Sequence, residues 1–122
     1  FPQWATTQNV VETTLQVDTH WGLFVSFLSV GIMAPLCEEV LFRGYLYHAV
    51  HAKFGRWTSV AITSLLFAVV HGQWFQLFPL FMAGVFLNWF YLHSRSLIAT
   101  VLMHSAWNTF SLFLVVYLNI YV

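Results

Sequence analysis

From Trp21 to Tyr121 the chain alternates long apolar runs with three short polar breaks: Lys53 to Arg56, His71-Gly72-Gln73 and Ser94-Arg95-Ser96. Uncharged runs of this kind read as membrane helices, because about 20 apolar residues suffice to cross a hydrocarbon core of about 30 Å. The pattern predicts five helical segments. The first, 21–34, is a short or tilted span, and Pro35 after it is a break or a helix start. A second helix is expected over about 35–53, with Gly55 as its stop signal. A third covers 56–71 and a fourth 74–93, with Pro79 near its start; the last, 97–121, is long. Residues 1–20 differ: Gln3, Thr6, Gln8, Asn9, Glu12, Asp18 and their neighbours make a polar stretch without a wide apolar stripe, expected as a loop or short interfacial segment.

Composition sharpens this picture. The chain has 122 residues, 60% hydrophobic and only 7% charged, where a soluble domain is about a quarter charged. The predicted fold is therefore all-α, a polytopic transmembrane bundle of about four to five membrane helices over residues 21–122, with the lipid bilayer as its surroundings. Zero formal net charge leaves no electrostatic footprint for nucleic acid. A single cysteine, Cys37, excludes an internal disulfide. The first residue is Phe1, and no charged segment with a cleavage site precedes the first span, so the reading is a piece of a longer protein without a signal peptide. No feature of the sequence points to an oligomeric state.

Lys53, Arg56 and Arg95 lie in breaks separated by two spans, which puts them on one side; the excess of basic residues makes that side cytoplasmic. Depth follows by counting inward. Fifteen residues separate Glu38 from Lys53, and fifteen separate His71 from Arg56, so both lie about 22 Å from the basic side. His104 and Asn108 come out at about 13 and 20 Å from Arg95 by the same rise. Four polar side chains on three helices are thus expected in one layer.

Their chemistry is specific. The stretch Cys37-Glu38-Glu39-Val40-Leu41-Phe42-Arg43-Gly44 holds three of the chain's eight formally charged residues in an apolar run, and ionisable groups inside a membrane segment mark sites of function. Glu39 and Arg43 are i,i+4, in the favourable order for an ion pair. Glu38 points about 100° away and is the candidate general base. His71, one helical turn after Phe67, is expected to share a water with Glu38. His104 and Asn108, also i,i+4, are two neutral donors suited to an oxyanion. The structural alternative is a buried network that only holds helices together. His48 and His51 read as interfacial, His20 and His93 as wet span ends, Cys37 as packing, and Ala83 with Gly84 as a close helix contact.

Glu38-Glu39-x-x-x-Arg43, Phe67-x-x-x-His71 and His104-x-x-x-Asn108 resemble, in order and type, the motifs of the CPBP family, the CAAX prenyl protease and bacteriocin-processing (Abi-type) intramembrane proteases. The resemblance covers about residues 35–110. Where the family often has a second glycine four residues after Gly84, this chain has Asn88. The resemblance implies an intramembrane endopeptidase acting on a membrane-associated peptide or protein, prenylated substrates included. Glu38 and His71 would activate water, His104 and Asn108 would line the oxyanion site, and Glu39, Arg43 and Phe67 would support it. No metal is favoured, because the paired histidines of a metalloprotease helix are missing. Were zinc used, its ligands would be Glu38, His71 and His104. The rival function is a catalytically silent scaffold or bacteriocin-immunity-type binding protein with the same polar network. The cell membrane of a bacterium or archaeon is the expected location.

Overall fold

The computed structural model describes residues 20–121. The polar stretch over 1–19 lies outside the described residues. All described elements are helical, and three helices are long and apolar enough to cross a membrane: His20–Phe54, Trp74–Ser94 and Leu97–Leu118. A fourth, Arg56–Val70, is apolar but shorter. We number them α1 (His20–Phe54), α2 (Arg56–Val70), α3 (Leu77–Ser94, preceded by a 3₁₀ turn over Trp74–Gln76) and α4 (Leu97–Tyr121).

The main departure from the sequence pattern is in α1, which runs through Pro35 where a break was expected. The reason is a π-helical stretch, Phe27–Met33, that ends just before the proline. In α-helical register the ring would collide with the carbonyl four residues back and leave it without a donor. In π register each N–H reaches five residues back, as Ala34 does to the Ser29 carbonyl. Pro35 then orphans the carbonyl of Val30, and that group is satisfied from elsewhere: Asn108 Nδ2 donates to it at 3.0 Å. Two predicted spans are thus one helix. A second π stretch, Val40–Leu46, follows the short α-helical segment that carries Glu38 and Glu39.

Gly55 makes the turn into α2 with φ +78°, a conformation costly for any residue with a Cβ. Pro79 falls in the first turn of α3, where its missing N–H has no intrahelical partner to lose. The described residues form two compact units, residues 20–36 with 102–121, and Cys37–Val101.

Burial is inverted relative to a water-soluble protein. The largest fully buried side chains are mostly polar, among them Arg43, Glu39, Asn88, Thr63 and Thr100, while Trp57, Phe78, Ile98 and Phe113 are exposed. This is the pattern expected where lipid solvates the aromatic and aliphatic bulk and the interior is left to groups that must satisfy one another. Within the Cys37–Val101 unit, Phe42, Phe67 and Leu87 form the small apolar core. Around it α2 and α3 approach so closely that a Cβ on Gly84 would stand 2.9 Å from Ser64 Cα. One turn further along α3, Asn88 Nδ2 donates to Thr63 Oγ1 and Ser64 Oγ, both at 3.0 Å.

Candidate active site

The site in the Cys37–Val101 unit is built outward from Arg43. Its side chain is fully buried; Nη1 donates to Glu39 Oε1 and Nη2 to the carbonyl of Gly84, both at 2.9 Å. The guanidinium lies over the Phe67 ring at 5.1 Å and near that of Phe42 at 6.0 Å. Its Nε has no hydrogen-bond partner among the described residues. A guanidinium needs acceptors in fixed directions, and the Gly84 carbonyl supplies one. The expected Glu39–Arg43 pair is therefore present and also ties α1 to α3.

With Glu39 turned toward Arg43, the preceding residue, Glu38, faces His71. Oε1 of Glu38 and Nε2 of His71 stand 3.9 Å apart, with both side chains partly accessible. The equal depths counted from the basic ends thus correspond to a contact. His71 caps α2, and its Nδ1 lies 2.6 Å from the Phe67 carbonyl. A carbonyl oxygen only accepts, so Nδ1 is the donor and a neutral ring keeps its lone pair on Nε2. Phe67 lies against the same ring, tilted by 53°, at 4.6 Å and meets Phe42 edge-on at 5.3 Å. The imidazole is thereby held by its carbonyl on one side and an aromatic face on the other. Two acceptors 3.9 Å apart are too far for a direct hydrogen bond and within reach of one water that donates to both.

His104 and Asn108 belong to the other unit. His104 is buried, and Asn108 gives one of its two amide hydrogens to Val30. Among the described residues no three His, Cys, Asp or Glu side chains are grouped so as to hold a metal ion. Glu38 and His71 offer two ligands.

Several features escaped the sequence pattern. The polar groups are not confined to one layer: Ser59, Thr63, Ser64 and Asn88 continue as a buried seam between α2 and α3. Thr63 Oγ1 also donates to the Ser59 carbonyl at 2.8 Å, the self-capping that lets a hydroxyl pass unnoticed in an apolar helix. The legible signal was Asn88, an amide in the middle of an apolar span. His48, read as interfacial, is bonded to Tyr91 Oη at 2.8 Å. Cys37, read as packing, is exposed.

A family model described as Type II CAAX prenyl endopeptidase Rce1-like matches residues 20–110. An uncharacterized 24.3 kDa protein of Escherichia coli is 33% identical over 95 residues, covering 74% of this chain and 44% of that protein. UPF0177 protein YxdF of Lactococcus lactis subsp. lactis (strain IL1403) is 35% identical over 81 residues, 66% of this chain and 44% of the relative. An uncharacterized protein of Mycoplasma capricolum is 31% identical over 107 residues, 84% of this chain and 31% of the relative. The chain spans less than half the length of these curated relatives. No solved structure matches it.

Proposed function

The chain belongs to the type II CAAX prenyl endopeptidase (Rce1-like) family, a family of proteases, and from that membership we propose that it hydrolyses a peptide bond of a membrane-associated peptide or protein. The observation that carries the reading is the 3.9 Å pairing of Glu38 with a His71 ring whose Nδ1 is already engaged. A water held by both acceptors loses a proton to Glu38 as its oxygen attacks the carbonyl carbon. The resulting tetrahedral oxyanion needs donors, and the resemblance of His104-x-x-x-Asn108 to the family's motif is the ground for proposing these two residues in that role. When the C–N bond breaks, the proton taken by Glu38 passes to the departing amine, so the base becomes the acid. Arg43 and Glu39 do not touch the reacting atoms in this scheme. They hold the helix that presents Glu38. A prenylated C-terminal peptide is the proposed substrate class, on the strength of the family alone.

The decisive assay is cleavage of a prenylated C-terminal peptide and of a bacteriocin-like leader by the purified protein in liposomes, with and without a chelator. Glu38→Gln keeps the shape of the side chain and removes the base. It is expected to lower cleavage about 10²- to 10⁴-fold, the usual worth of a positioned general base, with unchanged thermal unfolding. Retained cleavage in Glu38→Gln would sink the proposal, and loss of activity to the chelator would restore a metal to the mechanism. Failure of the wild-type protein to cut either peptide would favour the scaffold reading.

A further inference from the structure

Fifteen residues along α2 from His71, about 22 Å away at the usual helical rise, residues of α2 and α3 line a half-open cavity of about 380 Å³. Val60, Val85 and Leu92 line it with the indoles of Trp57 and Trp89, and Arg56 and His93 complete it. The Arg56 guanidinium lies 5.7 Å from the Trp57 ring, and the His93 ring lies against Trp89, tilted by 41°, at 4.6 Å. Lys53 stands three residues before Arg56, and Arg95 two residues after His93. The only acidic residues among those described are Glu38 and Glu39. Both belong with Arg43 and His71, about 22 Å along the helices. Hence no carboxylate of the described chain balances the cation at this end.

The cavity therefore combines three properties: an apolar lining of ligand size, two tryptophans of the kind found at headgroup level, and an exposed guanidinium with no carboxylate at its end among the described residues. We propose that it binds an anionic phospholipid, with the phosphate on Arg56 and an acyl chain along Val60 and Val85 between the two indoles. Charge complementarity selects the anion, since a guanidinium matches phosphate with paired donors. The apolar lining selects a lipid over a free phosphate, which would gain nothing from valine and tryptophan walls.

Native mass spectrometry tests this on the purified full chain, released from detergent containing equal amounts of phosphatidylglycerol and phosphatidylcholine with the same acyl chains. The wild type should retain phosphatidylglycerol preferentially. Arg56→Gln should reduce that preference about five-fold, the worth of one basic residue near an anionic surface. Val85→Trp, which fills the cavity, should reduce retention of phosphatidylglycerol while Arg56 is intact. Lys53→Gln removes the same charge at the same end without lining the cavity, and should leave the preference within about two-fold of wild type. Equal retention of the two lipids by wild type overturns the proposal. So does an effect of Lys53→Gln as large as that of Arg56→Gln, which would mean diffuse surface charge. Displacement of the bound lipid by soluble glycerol phosphate would overturn it too, because the headgroup alone would then suffice.

Discussion

Arg43 shows how much one buried residue can organise. Its two terminal nitrogens reach a carboxylate one turn back on its own helix and a carbonyl 41 residues later in the chain, and an aromatic ring lies against its face. Taking both charges out of water is expensive, so removing one partner alone is worse than removing both. Arg43→Met should therefore destabilise the protein by about 3–5 kcal/mol, by leaving Glu39 buried without its counter-charge. Combining it with Glu39→Leu should recover much of that loss, as read from thermal unfolding of the single and double variants in detergent. If the double variant is less stable than Arg43→Met, the pair is not the coupled unit described above. Glu38 is different in kind. It is partly accessible, and its Oε1 stands 3.9 Å from Nε2 of a histidine rather than in a hydrogen bond to the guanidinium.

At the scale of elements, the instructive case is the passage of α1 through Pro35. Proline ends most helices because it lacks a donor and crowds the carbonyl behind it. Here the π stretch relieves the crowding, and an amide from α4 replaces the missing donor at Val30. The two devices should be coupled. Asn108→Ala in the native background strands a carbonyl and should cost about 1 kcal/mol, within the range seen for hydrogen bonds between membrane helices. In Pro35→Ala the backbone N–H returns and can satisfy Val30 itself, so Asn108→Ala should then cost measurably less. A double-mutant cycle on unfolding stability reads the difference directly. Additive effects would separate Asn108 from the proline and free it for a different role. Between α2 and α3 the working parts are Gly84, which permits the approach, and Asn88, which bonds across it. A second glycine four residues after Gly84 would have allowed still closer packing. Asparagine instead exchanges that contact for two hydrogen bonds to hydroxyls.

For the molecule as a whole, the antiparallel α2 and α3 share a basic end, where Arg56 and His93 line one cavity, and the turn at His71 to Gln76 lies at the other. Single cysteines placed at Lys53 and Arg95 in a Cys37→Ala background should react with an impermeant maleimide from the same side of sealed vesicles. One placed at Gln73 should react from the opposite side. Labelling of all three from one side would show that α2 does not cross. The balance of buried and exposed surface is in keeping with this: among the described residues the largest fully buried side chains are mostly polar and much of the aromatic bulk is exposed, the arrangement expected of helices packed in lipid.

Much of this was legible in one dimension. Apolar runs and the breaks between them locate α2, α3 and α4 within a residue or two at most ends, because lipid demands long uncharged helices and the connections must be polar. The i,i+4 spacing of Glu39 and Arg43 foretold their pairing, and counting from the basic ends put Glu38 and His71 at one level. Both inferences rest on helical geometry, which is local and the same in every chain. What periodicity could not reveal was set by contacts between segments distant in sequence. The survival of α1 through Pro35 depends on an amide 78 residues from the carbonyl it serves. The seam of Ser59, Thr63, Ser64 and Asn88 depends on a neighbouring helix close enough to bond. The choice of His71 tautomer depends on which carbonyl its Nδ1 meets. The sequence by itself determined which groups lie at which depth; only the tertiary structure decided which of them meet, because a hydrogen bond requires a direction and a distance that one-dimensional spacing does not contain.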